Sequence, residues 1–161
     1  MSDETTISFA NLSLPQEGVA VVLAEEGPKL SPAAKDLDKE SKGLLSRAAN
    51  ISGFKGKKES IVDLLAPAGL KFSRLVLMGA GKTADYSAED WLNLGGTVRG
   101  LLTGKEGATA HIVLDGASKG IAPEDAANFA LGAALRGYKF KSTSRSRRRR
   151  MVPRPRPTTR R

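Results

Sequence analysis

The charge of this chain breaks near Phe140, and the break decides which residues have a fold to explain. The chain has 161 residues and a formal net charge of +9. Residues 141–161 hold Lys141, nine Arg and no acid, whereas residues 1–140 hold 16 Lys+Arg against 17 Asp+Glu. The body is thus nearly neutral, at −1, and the basic character belongs to the last 21 residues. There a Ser/Thr/Arg stretch leads into Arg147–Arg150, and Pro153, Pro155 and Pro157 then alternate with arginine. Like charges repel, and proline forbids helix and ladder bonds. Met151 and Val152 are the only strongly apolar groups. Such a segment cannot offset its ordering entropy, so 141–161 is expected to be a disordered Arg/Pro-rich tail.

The body, 1–140, suits one domain, since about 100–150 residues is the commonest domain size. Cys is absent, which excludes disulfides, thiolate metal sites and cysteine nucleophiles. The start, Met1-Ser2-Asp3-Glu4, is acidic and has no apolar run behind it, which argues against a secretory signal. No apolar run approaches the roughly 20 residues of a membrane span. These features read as a soluble cytoplasmic protein without a membrane partner.

Apolar periodicity alternates between strand and helix. Ile7–Ala10 alternates as a half-buried strand does, and Gly18–Ala24 is apolar on both faces, as in an interior strand. Further strands are expected at Glu59–Leu65, Arg74–Met78 and Thr109–Leu114. Ser31-Pro32 is an N-cap with proline in the first turn, opening a helical segment to about Ala49 with a break near Gly43. Ser87–Asp90 resembles a capping box, followed by Trp91, Leu94, Val98 and Leu101 on one face. Gly95, Gly96 and Gly100 lie within that helix and cost about 1 kcal/mol each relative to Ala, which close packing on the sheet is expected to offset. A last helix begins at Pro123-Glu124-Asp125, with Ala127, Leu131, Leu135 and Tyr138 as its expected buried stripe. Strands alternating with helices indicate an α/β fold with a mostly parallel or mixed sheet.

Candidate chemistry is sparse. Gly79-Ala80-Gly81-Lys82-Thr83 resembles the end of a phosphate loop, but the required earlier glycine is Val76, inside the strand, so it reads as a strand-end turn. His111, the only histidine, stands in an apolar strand without a carboxylate in its segment, and reads as a packed or edge residue. A metal site would have to be carboxylate-rich. Yet Asp36, Asp38 and Glu40 read as an exposed helical face, and Glu89-Asp90 and Glu124-Asp125 as first-turn acids. Lys55–Lys58 reads as a solvated basic turn. No catalytic, cofactor-binding or metal-ligating residue is assigned.

Gly43–Ala48, Phe54–Lys57, Leu75–Lys82, Leu94–Gly96 and Ala130–Phe140 stand in the order and at spacings similar to those of the N-terminal domain of the leucyl (cytosol) aminopeptidase family, peptidase M17. The resemblance covers about residues 5–140. It implies a macro-domain-like, three-layer α/β fold with a mixed central sheet and helices on both faces. It also implies that the activity, metal-dependent release of N-terminal amino acids from peptides, resides in a catalytic domain outside this sequence. Mn²⁺ or Zn²⁺ would bind that domain and not this chain, peptides would be met only there, and the whole protein would assemble as a hexamer. After Phe140 the family has a Tyr/Lys-rich linker. AAG-rich lysine codons read one base out of frame give AGA, arginine, so the tail is expected to be a frameshifted end, a point that sequencing the downstream locus decides. Two rival readings stay open. One is non-specific nucleic-acid or polyanion binding through Arg145, Arg147, Arg148, Arg149 and Arg150, by phosphate neutralisation. The other, on fold analogy alone, is an ADP-ribose binder.

Overall fold

The computed structural model describes residues 6–11, 13, 16–102, 109–116 and 118–137. The expectations for the basic tail, for Arg145 and Arg147–Arg150 within it, and for Tyr138 lie outside the described residues.

The centre is β1 (Val19–Glu25), buried along its whole length. Its alternate residues serve two cores. Ala20, Val22 and Ala24 face one, and Val19, Val21 and Leu23 the other. β4 (Arg74–Gly81) lies parallel to it, with Val21 opposite Val76 and Val22 opposite Leu77. β3 (Ile61–Leu65) pairs antiparallel with the far edge of β4. The other edge of β1 is shared: β2 (Lys29–Leu30) pairs antiparallel with its last residues, and β5 (Ala110–Ile112) parallel with its first three. The sheet is therefore mixed, with parallel pairing at its centre.

Helices cover both faces. α1 (Pro32–Glu40) and α2 (Leu44–Ile51) bring Ala33, Ala34, Leu37, Leu45 and Ala49 onto Leu75 and Leu77. α3 (Ala88–Leu101) and α4 (Pro123–Gly137) bring Trp91, Leu94, Val98 and Phe129 onto Val76 and Met78. The three-layer α/β arrangement expected from the sequence is present. Local chemistry sets the starts of the helices. Ser31 accepts from the Ala34 amide, with Pro32 in the first turn of α1. Ser87 and Asp90 form the capping box of α3. α2 starts at Gly43, in the left-handed region, without a cap of its own. Instead Asp38, on α1, accepts from the Ser46 amide and hydroxyl. The break near Gly43 is thus bridged by an acid that the sequence reading left on an exposed face.

Four expectations are corrected. Ile7–Ala10 is not a strand. Among the described residues it has no ladder partner, and Phe9 stays 69% exposed. Both edges of β1 are already taken, and four alternating residues cannot bury themselves without a neighbour. β4 does not stop at Gly79 but runs through Gly81. The segment 56–60 lies against its end: the Gly79 amide donates to the Ser60 carbonyl, the Glu59 amide to the Gly79 carbonyl, and the Gly81 amide to the Gly56 carbonyl. A side chain at Gly79 would strike the Lys57 carbonyl and the Ser60 hydroxyl, so glycine permits this approach.

The third correction concerns the glycines of α3. Gly95 meets α4, not the sheet: a Cβ there would strike the Phe129 carbonyl, and a Cβ at Gly132 would strike the Leu92 carbonyl. The two helices approach backbone to backbone through reciprocal glycines. The fourth follows from it. α4 turns Phe129, Gly132 and Ala133 inward, while Ala127, Leu131 and Leu135 of the expected stripe are exposed. Close approach requires the small face, and the leucines are then carried outward.

The glycine contact makes a graded prediction. Gly132→Ala should destabilise by about 1–3 kcal/mol through overpacking. Gly100→Ala should be neutral or stabilising by up to about 1 kcal/mol, because its Cβ would meet only the Arg136 Nε, at 3.8 Å. Urea denaturation of the two variants measures the difference, and equal losses would refute a glycine-mediated α3–α4 contact.

Candidate functional site

In open α/β sheets ligands bind outside the carboxyl ends of parallel strands, where successive connections leave on opposite faces. Here that place lies beyond β1 and β4, whose following helices, α1 and α3, take opposite sides of the sheet. A bulge between Ala24 and Glu25 sets Glu25 opposite Gly81. Glu25 is only 6% exposed. Its carboxylate accepts from the Thr83 hydroxyl at 2.5 Å, from the Ser118 hydroxyl, and from the Ser118 amide at 3.4 Å. One side chain thus joins the end of β1, the 3₁₀ turn Thr83–Asp85 and the segment after β5. Burial pushes the carboxyl up, but the hydrogen bonds from Ser118 and Thr83, with the nearby Lys29 charge, outweigh it and hold the group below its ordinary value.

The chain's own groups fill the rest of this crevice. The Gly27 amide donates to the Lys55 carbonyl at 3.1 Å, and Gly56, with φ of 70°, packs on the Glu25 carbonyl. Lys55–Lys58 therefore forms part of the wall, with its lysine side chains outward, and Gly56 is buried. Gly79-Ala80-Gly81-Lys82-Thr83 is not even the plain strand-end turn: the first three residues are strand, and the Thr83 hydroxyl is committed to Glu25.

Beside the crevice is an open groove of about 400 Å³ lined by Lys57, Lys58, Lys82, Tyr86 and Asp90. One ion pair spans it. Lys58 bonds Asp90 and lies 4.5 Å from the Tyr86 ring centroid. The Tyr86 hydroxyl donates to the Ala80 carbonyl, and its ring meets Trp91 edge-on at 4.9 Å. Burial, and then the Asp90, Glu59 and Glu25 charges, push the Tyr86 phenol up to about 12. Asp90 is held at about 2 by Lys58 and by the Ser87 amide and hydroxyl. This arrangement fastens α3 to the sheet.

His111 is exposed on β5, with its strand at the edge of the sheet. The described carboxylates are dispersed. Asp63 is bidentate to Arg74, Asp38 caps α2, and Asp115 accepts from the Ala33 amide at 2.7 Å. Glu89, Asp90, Glu124 and Asp125 occupy first turns. Among the described residues no three acids or histidines converge as metal ligands. These residues do not fit a two-metal site, which needs several carboxylates about one pair of ions. Glu25 escaped the sequence reading. Its one signal was an acid closing an otherwise apolar strand.

A test follows from Glu25. Its folded value lies below the ordinary 4.5, so its contribution is complete above the unfolded value and is lost as pH falls through the folded one. Glu25→Gln should lower stability by about 1–3 kcal/mol at neutral pH, and the gap to the parent chain should narrow on acidification. Urea denaturation across that range measures it. A gap constant with pH would mean the carboxylate charge is not what Ser118 and Thr83 hold.

Comparison with known proteins places the chain. The N-terminal domain of the cytosol aminopeptidase family matches residues 21–146. A probable cytosol aminopeptidase of Afipia carboxidovorans is 38% identical over 140 residues, covering 87% of this chain and 28% of that protein. One of Xanthobacter autotrophicus is 39% identical with the same coverage. Among solved structures, a tomato leucine aminopeptidase mutant superposes with a TM-score of 0.59 at 24% identity, covering 86% of this chain and 30% of that one. The chain thus spans under a third of the length of the relatives it matches. Among the described residues no helix is long and apolar enough to cross a membrane.

Proposed function

This chain belongs to the cytosol aminopeptidase family, and from that membership we propose that its body serves as the non-catalytic N-terminal domain of a metal-dependent aminopeptidase. The observation that carries the reading is one of proportion. Similarity runs through 87% of this chain yet reaches only 28% of the Afipia relative. Peptide binding, the Mn²⁺ or Zn²⁺ ions and hydrolysis fall to the remaining polypeptide. Among the described carboxylates, Asp38 and Asp90 cap helices, Asp63 pairs with Arg74 and Glu25 ties three segments together, which are structural roles. In the whole protein the domain contributes to a cytoplasmic hexamer and shapes access to the active site. By itself the chain assigns itself no substrate.

The reading predicts that this chain, made in a host lacking its own aminopeptidase, releases no leucine from a leucyl anilide above a no-protein blank with Mn²⁺ or Zn²⁺ supplied. Metal-dependent turnover that co-purifies with the chain and is lost on mutating its own carboxylates would overturn it.

A further inference from the structure

α4 is apolar on more sides than its packing uses. From Ala126 to Leu135 it carries no charged residue. Phe129, Gly132 and Ala133 face the core, and Ala127, Leu131, Ala134 and Leu135 face outward. Leu131 is 49% and Leu135 58% exposed. Two leucines of α4 are thus exposed, against one large apolar residue on α2, Ile51, and none on α1 or α3. α1 turns Lys35, Asp36, Lys39 and Glu40 to solvent. α3 has the same charge pattern as α4, acids in the first turn and an arginine in the last, but its leucines are buried or half-buried. A surface helix normally turns a polar face to water, and between Ala126 and Leu135 the only polar side chain of α4 is Asn128. Beside Leu135 a groove of about 810 Å³ runs onto α3, past Leu92, Gly96 and Gly100, and becomes polar at Lys58, Glu59 and Asp90.

We propose that the outer face of α4 is a docking surface for the polypeptide that follows this domain in the same chain of family members. The inference rests on the function proposed above. Two observations identify the occupant. The matched region is the family's N-terminal domain and ends just beyond α4, and about 70% of the relatives' length lies outside it. The face is therefore on the last described element before the point where that polypeptide enters. An apolar ridge on that element is the nearest surface the next domain can bury. A second copy would be a different occupant, and the experiment separates the two.

This chain has no cysteine, so Leu131→Cys introduces a unique thiol. In this chain the thiol should react with a maleimide at the rate of an exposed cysteine. Loaded with benzophenone maleimide and irradiated, it should give no product of doubled mass. In the full-length Afipia relative, with its other cysteines replaced, a cysteine at the position aligned with Leu131 should be shielded from maleimide under native conditions. Loaded with the photoprobe while unfolded and then refolded, it should cross-link within one chain, to a peptide beyond the matched region. A cross-link between two chains, in either protein, would overturn the proposal in favour of self-association. Full reactivity in the relative, or a link confined to the matched domain, would overturn it as well. Leucyl anilide hydrolysis by the unmodified relative is read separately. Its absence would overturn the proposed function, and its presence without the expected link would overturn only the docking face.

Discussion

Complete enclosure of β1 is the constraint on which the other elements depend. Six consecutive apolar residues, Val19–Ala24, are at most 2% exposed. Successive strand residues point to opposite faces, so burying all six requires a covering layer on each side, and the α1–α2 and α3–α4 pairs supply them. Backbone groups on both edges need partners too. β4 satisfies one edge along its length, and β5 and β2 divide the other. Glu25 is the first polar side chain, and it ends the strand by gathering donors from two later segments.

The second organising device is backbone contact at glycine. Gly79 admits the 56–60 segment against β4, and Gly95 with Gly132 brings α3 against α4. Each contact replaces side-chain interdigitation with backbone touching backbone, which fixes distance closely and tolerates no added Cβ. The 56–60 segment also closes the place where an α/β sheet commonly receives ligands. Gly56 stands on the Glu25 carbonyl, so the crevice is occupied from within. A domain built in this way is suited to presenting surfaces to the rest of a larger protein.

Local signals carried much of this into the sequence. Ser31-Pro32, the Ser87–Asp90 box and the doubly apolar strand before Glu25 each act within a few residues, and all were legible. The failures were tertiary. The choice of inward face on α4 depends on Gly95, far away in sequence, so counting large apolar side chains selected the wrong one. The capping role of Asp38 depends on α2 folding back to it. The course of β4 through Gly81 depends on a neighbouring segment that no periodicity announces. At the candidate crevice the acid that mattered, Glu25, lay outside every motif, because its donors Thr83 and Ser118 come from distant parts of the chain.

The division of β1 between two cores also sets an order of assembly. The layer formed by α1 and α2 with β3 and β4 draws mainly on residues up to Leu77, with Val113 as its late member. The opposite layer needs Phe129 of α4. During synthesis from the N-terminus, Val19, Val21 and Leu23 therefore wait first on α3 and then on Phe129 before their side of the strand is fully covered. Through that interval the nascent chain holds a half-clad sheet with an apolar face, the kind of surface that chaperones recognise and that aggregates when unattended.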